Sequence, residues 1–453
     1  MADMICAIAT GLVRSGIGVI RMSGAGCIAA AGAVFSPVSG KALSDTPDRR
    51  LVLGTLYDAQ RRPVDQCLAF VSRAPASYTG EDTAEFQCHG SPAALTAALE
   101  SLFAVGFRQA GPGEFTRRAF LNGRLDLTQA EAVIDLIDAP TAAAAANAAG
   151  QLSGAIGARI GPIYDALTDL LSHFHAILDY PDELLEPFEI EEAEKTLTAA
   201  RAALLALLDT ARRGRFIASG VRAAIVGSPN AGKSSLLNRL AGFARVIVTD
   251  IPGTTRDTVE QSVTLGRHLL RLCDTAGIRE TDNEIERQGV LRSAEAASAC
   301  DLAIFVVDGS KPMTQEDHRA MELALEADEA IAVINKTDLG CVISPSDLPF
   351  SCVVPLSART GEGLDLLEQA VDMIFPDDTP CDGSLLTNTR QIDAARRAAA
   401  SLDASLASLR AGMTPDAVLL DAEAAMTALG ELTGRVVRED ITNRIFERFC
   451  VGK

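Results

Sequence analysis

The 453-residue chain has no tryptophan, only four tyrosines and five histidines, and 4% aromatic residues. With no indole, intrinsic tryptophan fluorescence cannot report on ligand binding. The ten cysteines are scattered, without a Cys-x-x-Cys pair or a secretory spacing. They read as reduced thiols of a cytoplasmic protein. Asp3 stands where a basic n-region would lie, so no secretory signal is expected. No uncharged apolar run reaches the roughly 18 residues of a membrane span, and none is expected. Excess positive charge is missing as well: 41 basic against 60 acidic side chains leave −19. Such a surface repels nucleic acid, so an RNA substrate needs a local patch or a basic partner to hold it. No repeat with a period of about 20–50 residues is visible.

What remains is a globular composition, 48% hydrophobic and 22% charged. The length suits about three domains, and abundant alanine favours helix. From Ile5 to Phe115 the apolar runs are short and broken by glycine and proline. Ile17–Met22 and Gln66–Val71 read as strands and Pro92–Phe103 as a helix, which predicts an α+β domain. From Thr116 to Arg215 the period becomes helical. Ile160, Ile163, Leu167, Leu170, Leu171, Phe174, Ile177 and Leu178 form a core-facing stripe that Asp179–Asp182 breaks. A second helix is expected over Glu191–Arg213, with Ala193, Leu197, Ala200, Leu204, Leu207 and Leu208 on one side. Val221–Phe375 alternates β-branched runs with helical stretches, the pattern of a parallel sheet covered by helices. After the break at Pro376–Pro380 two further stripes follow, Ile392–Leu409 and Val418–Leu429. The economical architecture is a discontinuous helical domain with an α/β domain inserted. The expected boundaries are 1–117, 118–216, 217–376 and 377–453.

Gly227-Ser228-Pro229-Asn230-Ala231-Gly232-Lys233-Ser234 fits G-x-x-x-x-G-K-[ST], after the strand Ala223–Val226 and before a helix opening at Ser235. Backbone N–H groups of such a loop curl round a β-phosphate and the helix dipole adds to them. Lys233 neutralises β/γ oxygens and Ser234 suits Mg²⁺. Asp274-Thr275-Ala276-Gly277 lies 41 residues after Lys233, with Asp274 suited to the magnesium shell and the Gly277 N–H to the γ-phosphate. Asn335-Lys336-Thr337-Asp338 follows 61 residues after Asp274. A carboxylate there accepts from both N1–H and the 2-amino group of guanine, which adenine lacks. Ser357-Ala358-Arg359 supplies a backbone N–H for O6. Four motifs in this order predict a Ras-like P-loop GTPase domain binding GTP and GDP.

Ile278 follows Gly277, so the Ras-type water-positioning glutamine is missing. Glu286, in the charged stretch Glu280–Arg287, is the best carboxylate for that task, its alternative on spacing alone being part of a solvated acidic face. Arg256, Arg279 and Arg287 stand equal as sources of a finger. Upstream, Thr249-Asp250-Ile251-Pro252-Gly253-Thr254-Thr255 contains the threonine that closes over magnesium.

This last segment with Arg256-Asp257, the inserted G domain, and Cys450-Val451-Gly452-Lys453 resemble the MnmE (TrmE) family of tRNA uridine-modification GTPases. The resemblance runs through Gly16–Gly24, Tyr78–Asp82, His89-Gly90, Pro112–Thr116, Ala119–Leu127 and Asp179–Glu183, and so spans the chain. It implies aminomethyl-type modification at C5 of wobble uridines in tRNA. It further implies a homodimer joined through the N-terminal domain, which binds a tetrahydrofolate one-carbon donor. A flavoprotein partner of the MnmG type carrying FAD completes a heterotetramer. Hydrolysis in this family depends on potassium and on two G domains meeting across the dimer. By matching positions, potassium falls to Asn230 and Thr254 with the carbonyls of Thr249 and Ile251, where its charge replaces a finger. Magnesium falls to Ser234 and Thr255, and Glu286 orients water. Folate falls to Arg21, Glu85, Arg124 and Lys453; a pterin presents guanine-like donors that suit a carboxylate. Cys450 is a candidate nucleophile toward uracil C6, its bland alternative being a small buried hydrophobe closing the last helix.

Two other readings share the G motifs: an RNA-assembly switch of the Era or Der kind, and a regulatory GTPase whose N-terminal domain senses folate. One Walker motif, no Gly-x-x-Gly loop in the C-terminal zone, and the acidic balance weigh against the first. Folate binding without altered tRNA is the mark of the second.

Overall fold

The first long strand pair sets the architecture of the N-terminal region. In β1 (Ile5–Ile8) and β2 (Ser15–Ser23), inward Ile20 and Met22 alternate with outward Ile17, Val19 and Arg21. That period of two covers one sheet face and leaves the other open. The computed structural model describes residues 3–179, 190–243, 261–272, 300–376, 381–436, 442 and 445–452. These divide into two compact units, Met1–Ile134 with Gln151–Leu205 and Asp393–Lys453, and Asp135–Gly150 with Ala206–Ile392.

In the first unit, β3 (Phe35–Pro37), β4 (Val52–Tyr57), β5 (Pro63–Ser72), β6 (Thr83–Gly90) and β7 (Arg108–Gln109) join β1 and β2. The order is β3-β4-β5-β6-β2-β1-β7, antiparallel except for β1 with β7. Helices α1 (Cys27–Val34) and α2 (Pro92–Ala104) cover the inner face, where Phe35, Leu56, Phe86, Leu95 and Leu102 form a core. On the open face the register aligns Arg21, Glu85 and Phe70 in one row, and Val19, Gln87, Leu68 and Leu53 in the next. The strands expected at Ile17–Met22 and Gln66–Val71, and the helix at Pro92–Phe103, are present.

Helices follow: α3 (Glu114–Leu121), α4 (Leu127–Ile137), α5 (Ala142–Leu152), α6 (Ala155–Asp179) and α7 (Ile190–Asp209). On α6, Ile160, Ile163, Leu167, Leu171 and Phe174 are buried as the stripe requires, while Leu170 at its edge is half-buried; the side chains of Ile177 and Leu178 and the break after Asp179 lie outside the described residues. The second helix differs from expectation. It ends at Asp209, and α8 (Ala211–Ser219) starts afresh. At Thr210 the hydroxyl donates to the Leu207 carbonyl at 2.6 Å and accepts from the Leu386 N–H at 3.1 Å, a competing local pairing that marks the break.

In the second unit, β8 (Val221–Val226) leads to α9 (Lys233–Phe243), β9 (Gln261–Leu265), β10 (His268–Leu272) and β11 (Leu302–Asp308). Then come α10 (Gln315–Ala324), β12 (Ala330–Asn335), β13 (Val353–Pro355) and α11 (Leu364–Ile374). The sheet runs β13-β12-β11-β8-β10-β9, parallel except for the hairpin β9–β10. Leu302–Val306 and Ile331–Ile334 are wholly buried, as parallel strands covered on both faces must be. Successive strands pass to opposite sides of β8, so its C-terminal end is the switch point where such folds bind ligands. The two last helices, α12 (Thr389–Arg410) and α13 (Pro415–Thr433), carry the C-terminal stripes and from Asp393 onward belong to the first unit. No described helix is long and apolar enough to cross a membrane.

Candidate functional site

The glycine-rich loop lies at the C-terminal end of β8, and α9 begins at Lys233 itself. Asn230 takes a left-handed conformation with φ 62°. Gly232 does so with φ 102°, and a Cβ there would sit 2.1 Å from Asn335 Nδ2, so only glycine fits. Lys233 Nζ donates to the carbonyls of Gly227 at 2.7 Å and Ser228 at 2.8 Å. Burial lowers its pKa, opposed by the nearby Asp317 carboxylate. Its ammonium therefore sits inside the loop, where a phosphate would meet it.

The base-recognition residues are joined to that loop by side chains. Asn335, buried, donates from Nδ2 to the Ala231 carbonyl at 2.9 Å, and its Oδ1 accepts from the Ala358 N–H at 3.0 Å. Lys336, itself left-handed at φ 65°, donates to the Asn230 carbonyl at 2.8 Å and to Asp308 Oδ2 at 2.7 Å. Burial pushes the Asp308 carboxyl up, but Lys336 and Ser310 together hold it below its usual value. Asp338 is exposed, and its Oδ1 accepts from the Ser357 hydroxyl at 2.7 Å. The structure thus brings together Asn230–Lys233, Asn335–Asp338 and Ser357–Arg359; Ser234 and Ser235 follow on the exposed start of α9. Asp308 was not singled out from the sequence. Its position one residue beyond the apolar run of β11, opposite Asn335 in register, is the signal that could have marked it. Thr249–Thr255, Asp274–Gly277, Arg256, Arg279, Arg287 and Glu286 lie outside the described residues.

In the first unit, Arg21 Nε donates to Glu85 Oε1 at 2.8 Å across the β2–β6 pair. The Arg21 guanidinium lies 5.5 Å from the Tyr78 ring centre and 5.8 Å from that of Phe115. Tyr78 is fixed through its hydroxyl, 2.9 Å from Thr116 Oγ1. Neither aromatic was singled out individually; only the fold brings residues 78 and 115 over residue 21. Behind them Ser23, Thr79, Glu81 and Arg118 form a bonded cluster: Ser23 Oγ lies 2.7 Å from Thr79 Oγ1 and donates to Glu81 at 2.8 Å, and Arg118 donates to Glu81 at 3.0 Å. Asn122 Nδ2 donates to the Thr79 carbonyl at 2.7 Å. Arg124 is exposed; its stem runs beside Gly80, and its guanidinium has no partner among the described residues. The Glu85 carboxylate as acceptor, the Arg21 guanidinium as donor and the Tyr78 and Phe115 rings gather at the open sheet face, a set that suits a planar, hydrogen-bonding heterocycle.

The C-terminal tail docks beside this face. Val451 bridges Pro112, and the Gly113 N–H donates to the Cys450 carbonyl at 3.4 Å. Gly113 has φ 61°, and a Cβ there would meet Phe446 O at 2.8 Å. Gly452 is buried against Ile8 and Ala9, where β1 pairs with β2 next to Arg21. Cys450 is exposed, which overturns its reading as a small buried hydrophobe: the chain has left the preceding helical turn and its side chain points to solvent. Lys453 lies outside the described residues.

Comparison with known proteins extends over the whole chain. The family model described as GTP-binding protein TrmE N-terminus matches residues 4–124, and that described as MnmE helical domain matches 127–450. A tRNA modification GTPase MnmE of Symbiobacterium thermophilum is 42% identical, covering 100% of this chain and 99% of its own. Its namesake in Roseiflexus castenholzii is 41% identical with the same coverage. Among solved structures, the FeoB G-domain from Methanococcus jannaschii is 24% identical over 35% of this chain and 98% of its own, with a TM-score of 0.25.

Proposed function

The chain belongs to the MnmE family of tRNA modification GTPases, and we propose that it is a potassium-dependent GTP hydrolase that works with a flavoprotein partner on wobble uridines of tRNA. The supporting observation is the bonded junction of phosphate loop, Asn335–Asp338 and Ser357–Arg359 at the end of β8. GTP sits with its phosphates on Asn230–Ser235 and its base between Asp338 and the Ser357–Arg359 loop. Lys233 and the first N–H groups of α9 stabilise charge as it develops on the phosphates. Ser234 and Thr255 are the magnesium ligands. Asn230, Thr249, Ile251 and Thr254 are the potassium ligands. The exposed Asn230 side chain, without a hydrogen bond among the described residues, suits that role. Thr249–Thr255 and Asp274–Gly277 complete the nucleotide site, and Glu286 positions the attacking water. Bound potassium supplies the positive charge that an arginine finger gives elsewhere.

The open face around Arg21 and Glu85 holds a tetrahydrofolate one-carbon donor. Glu85 accepts from the pterin N–H groups, and Arg21, Arg124 and Lys453 serve its anionic tail. The neighbouring row Val19, Gln87, Leu68 and Leu53 is half-exposed and largely apolar, which supports a homodimer closing over this domain. The domains are 1–117 for folate and dimerisation, 118–216 and 377–453 for the helical domain, and 217–376 for the G domain. Cys450 acts at the uracil ring. The acidic balance supports a reading in which the FAD-bearing partner of a cytoplasmic heterotetramer supplies much of the phosphate neutralisation.

Nucleoside mass spectrometry of tRNA from cells lacking the protein tests this. The expected result is loss of the aminomethyl-type wobble uridines and their return with the gene. Unchanged uridines would leave a GTPase switch without modification chemistry. In vitro, Asn230→Ala is expected to lose potassium stimulation while still binding GDP.

A further inference from the structure

The loop Ser357–Glu362 is hydrogen-bonded almost throughout. The Ser357 N–H goes to Glu362 O, that of Ala358 to Asn335 Oδ1, that of Thr360 to Ser357 Oγ, that of Gly361 to Ser357 O, and that of Glu362 to Thr360 Oγ1. Among the described residues, the Arg359 N–H is the donor in this loop left without an acceptor. The other face of the same peptide is held from outside. Arg239, on α9 and six residues after Lys233, donates from Nε to the Ala358 carbonyl at 3.0 Å and from Nη2 to the Arg359 carbonyl. Its guanidinium lies over Gly361, with Cζ 3.9 Å from where a Cβ would stand.

A trans peptide is planar, so the carbonyl of Ala358 and the N–H of Arg359 point in opposite directions within one rigid unit. Gripping the carbonyl therefore aims the N–H. A guanidinium fork does this with two donors at once, where an ammonium offers a single mobile point charge. We propose that Arg239 is a positioning residue for base selection, which aims the Arg359 N–H at the O6 of guanine and ties the base loop to the helix that follows the phosphate loop. The proposal deepens the reading of this site as a GTP site and rests on it. It divides the base between two independent devices: Asp338 reads the N1–H and 2-amino group, and the Arg239-held peptide reads O6.

That division is testable in the full chain by displacing mant-GDP with three unlabelled competitors: GDP, IDP, which lacks the 2-amino group, and 2-aminopurine riboside diphosphate, which lacks O6 and with it the N1–H, so that each competitor is compared between variant and parent. Arg239→Ala is expected to weaken GDP and IDP alike, by roughly five- to tenfold, the size of one hydrogen bond. The competitor without O6 is expected to change less than twofold, and Arg239→Lys to fall between Ala and the parent for GDP. Equal weakening of all three competitors would overturn the proposal, because it marks general damage to the site. Unchanged GDP affinity in Arg239→Ala would overturn it too. Failure of the parent protein to bind mant-GDP at all would sink the GTP reading, and the proposal with it.

Discussion

The two candidate sites are built in opposite ways. The nucleotide site is mostly backbone and short contiguous motifs: glycine-loop amides, a helix N-terminus, and side chains that follow strands β8 and β12 directly. The Arg21 site is made of side chains from residues 21, 78, 85 and 115, gathered by register across β2 and β6 and by the two rings that approach the Arg21 guanidinium. A motif can encode the first because its geometry is local. The second exists only after non-local pairing, since a slip of one residue would turn Arg21 or Glu85 into the core.

If the sites are separable devices, each should fail alone. Lys233→Ala is expected to cut GTP hydrolysis by at least about a hundredfold, the scale on which a preorganised charge stabilises a transition state. Tetrahydrofolate binding by the same variant, measured by equilibrium dialysis, should stay as in the parent; a joint loss would refute independence. Glu85→Gln is expected to do the converse, weakening tetrahydrofolate about tenfold by removing a charge-assisted acceptor while leaving GTP turnover intact. Retained folate affinity in this variant would move the pterin away from β6.

Smaller effects probe how the C-terminal tail is held against Pro112 and Gly113. Gly113→Ala forces a Cβ against Phe446 and strains a left-handed residue, at a cost of about 1–3 kcal/mol. A lowered Tm together with faster proteolysis of the tail is expected, with nucleotide affinity unchanged. Glu114 reports on the ion network behind the tail. Burial pushes its carboxyl up, but Arg108, the Gly111 N–H and Arg118 outweigh that and bring it down to about 2. A carboxyl depressed on folding adds stability above its unfolded value of 4.5 and loses it as pH falls toward 2. Tm should therefore fall between pH 4.5 and 2 in the parent. Glu114→Gln should start lower and fall less steeply; parallel curves would remove Glu114 from the network.

Individual elements show where sequence reading succeeds and where it stops. The strands around Ile20, Phe70 and Ile331, and the stripe on α6, follow from periodicity, because burial on one face or both imposes it. The break at Thr210 was hidden, because apolar spacing continues through it and only the pairing of its hydroxyl with Leu207 and the distant Leu386 reveals it. Asp308 and Arg239 were equally hidden, being single charged residues in a strand end and a helix whose partners lie in other segments.

By itself the sequence determined the phosphate-loop motif, the order of the segments and the family, since each rests on residues adjacent in the chain or at fixed intervals. Tertiary structure alone decided which peptide N–H in the Ser357–Glu362 loop is left for a ligand, which rings enclose Arg21, and that Cys450 faces solvent beside β1. Those outcomes depend on groups brought together from far along the chain, where hydrogen-bond satisfaction and register choose the partners and local pattern carries no record of the choice.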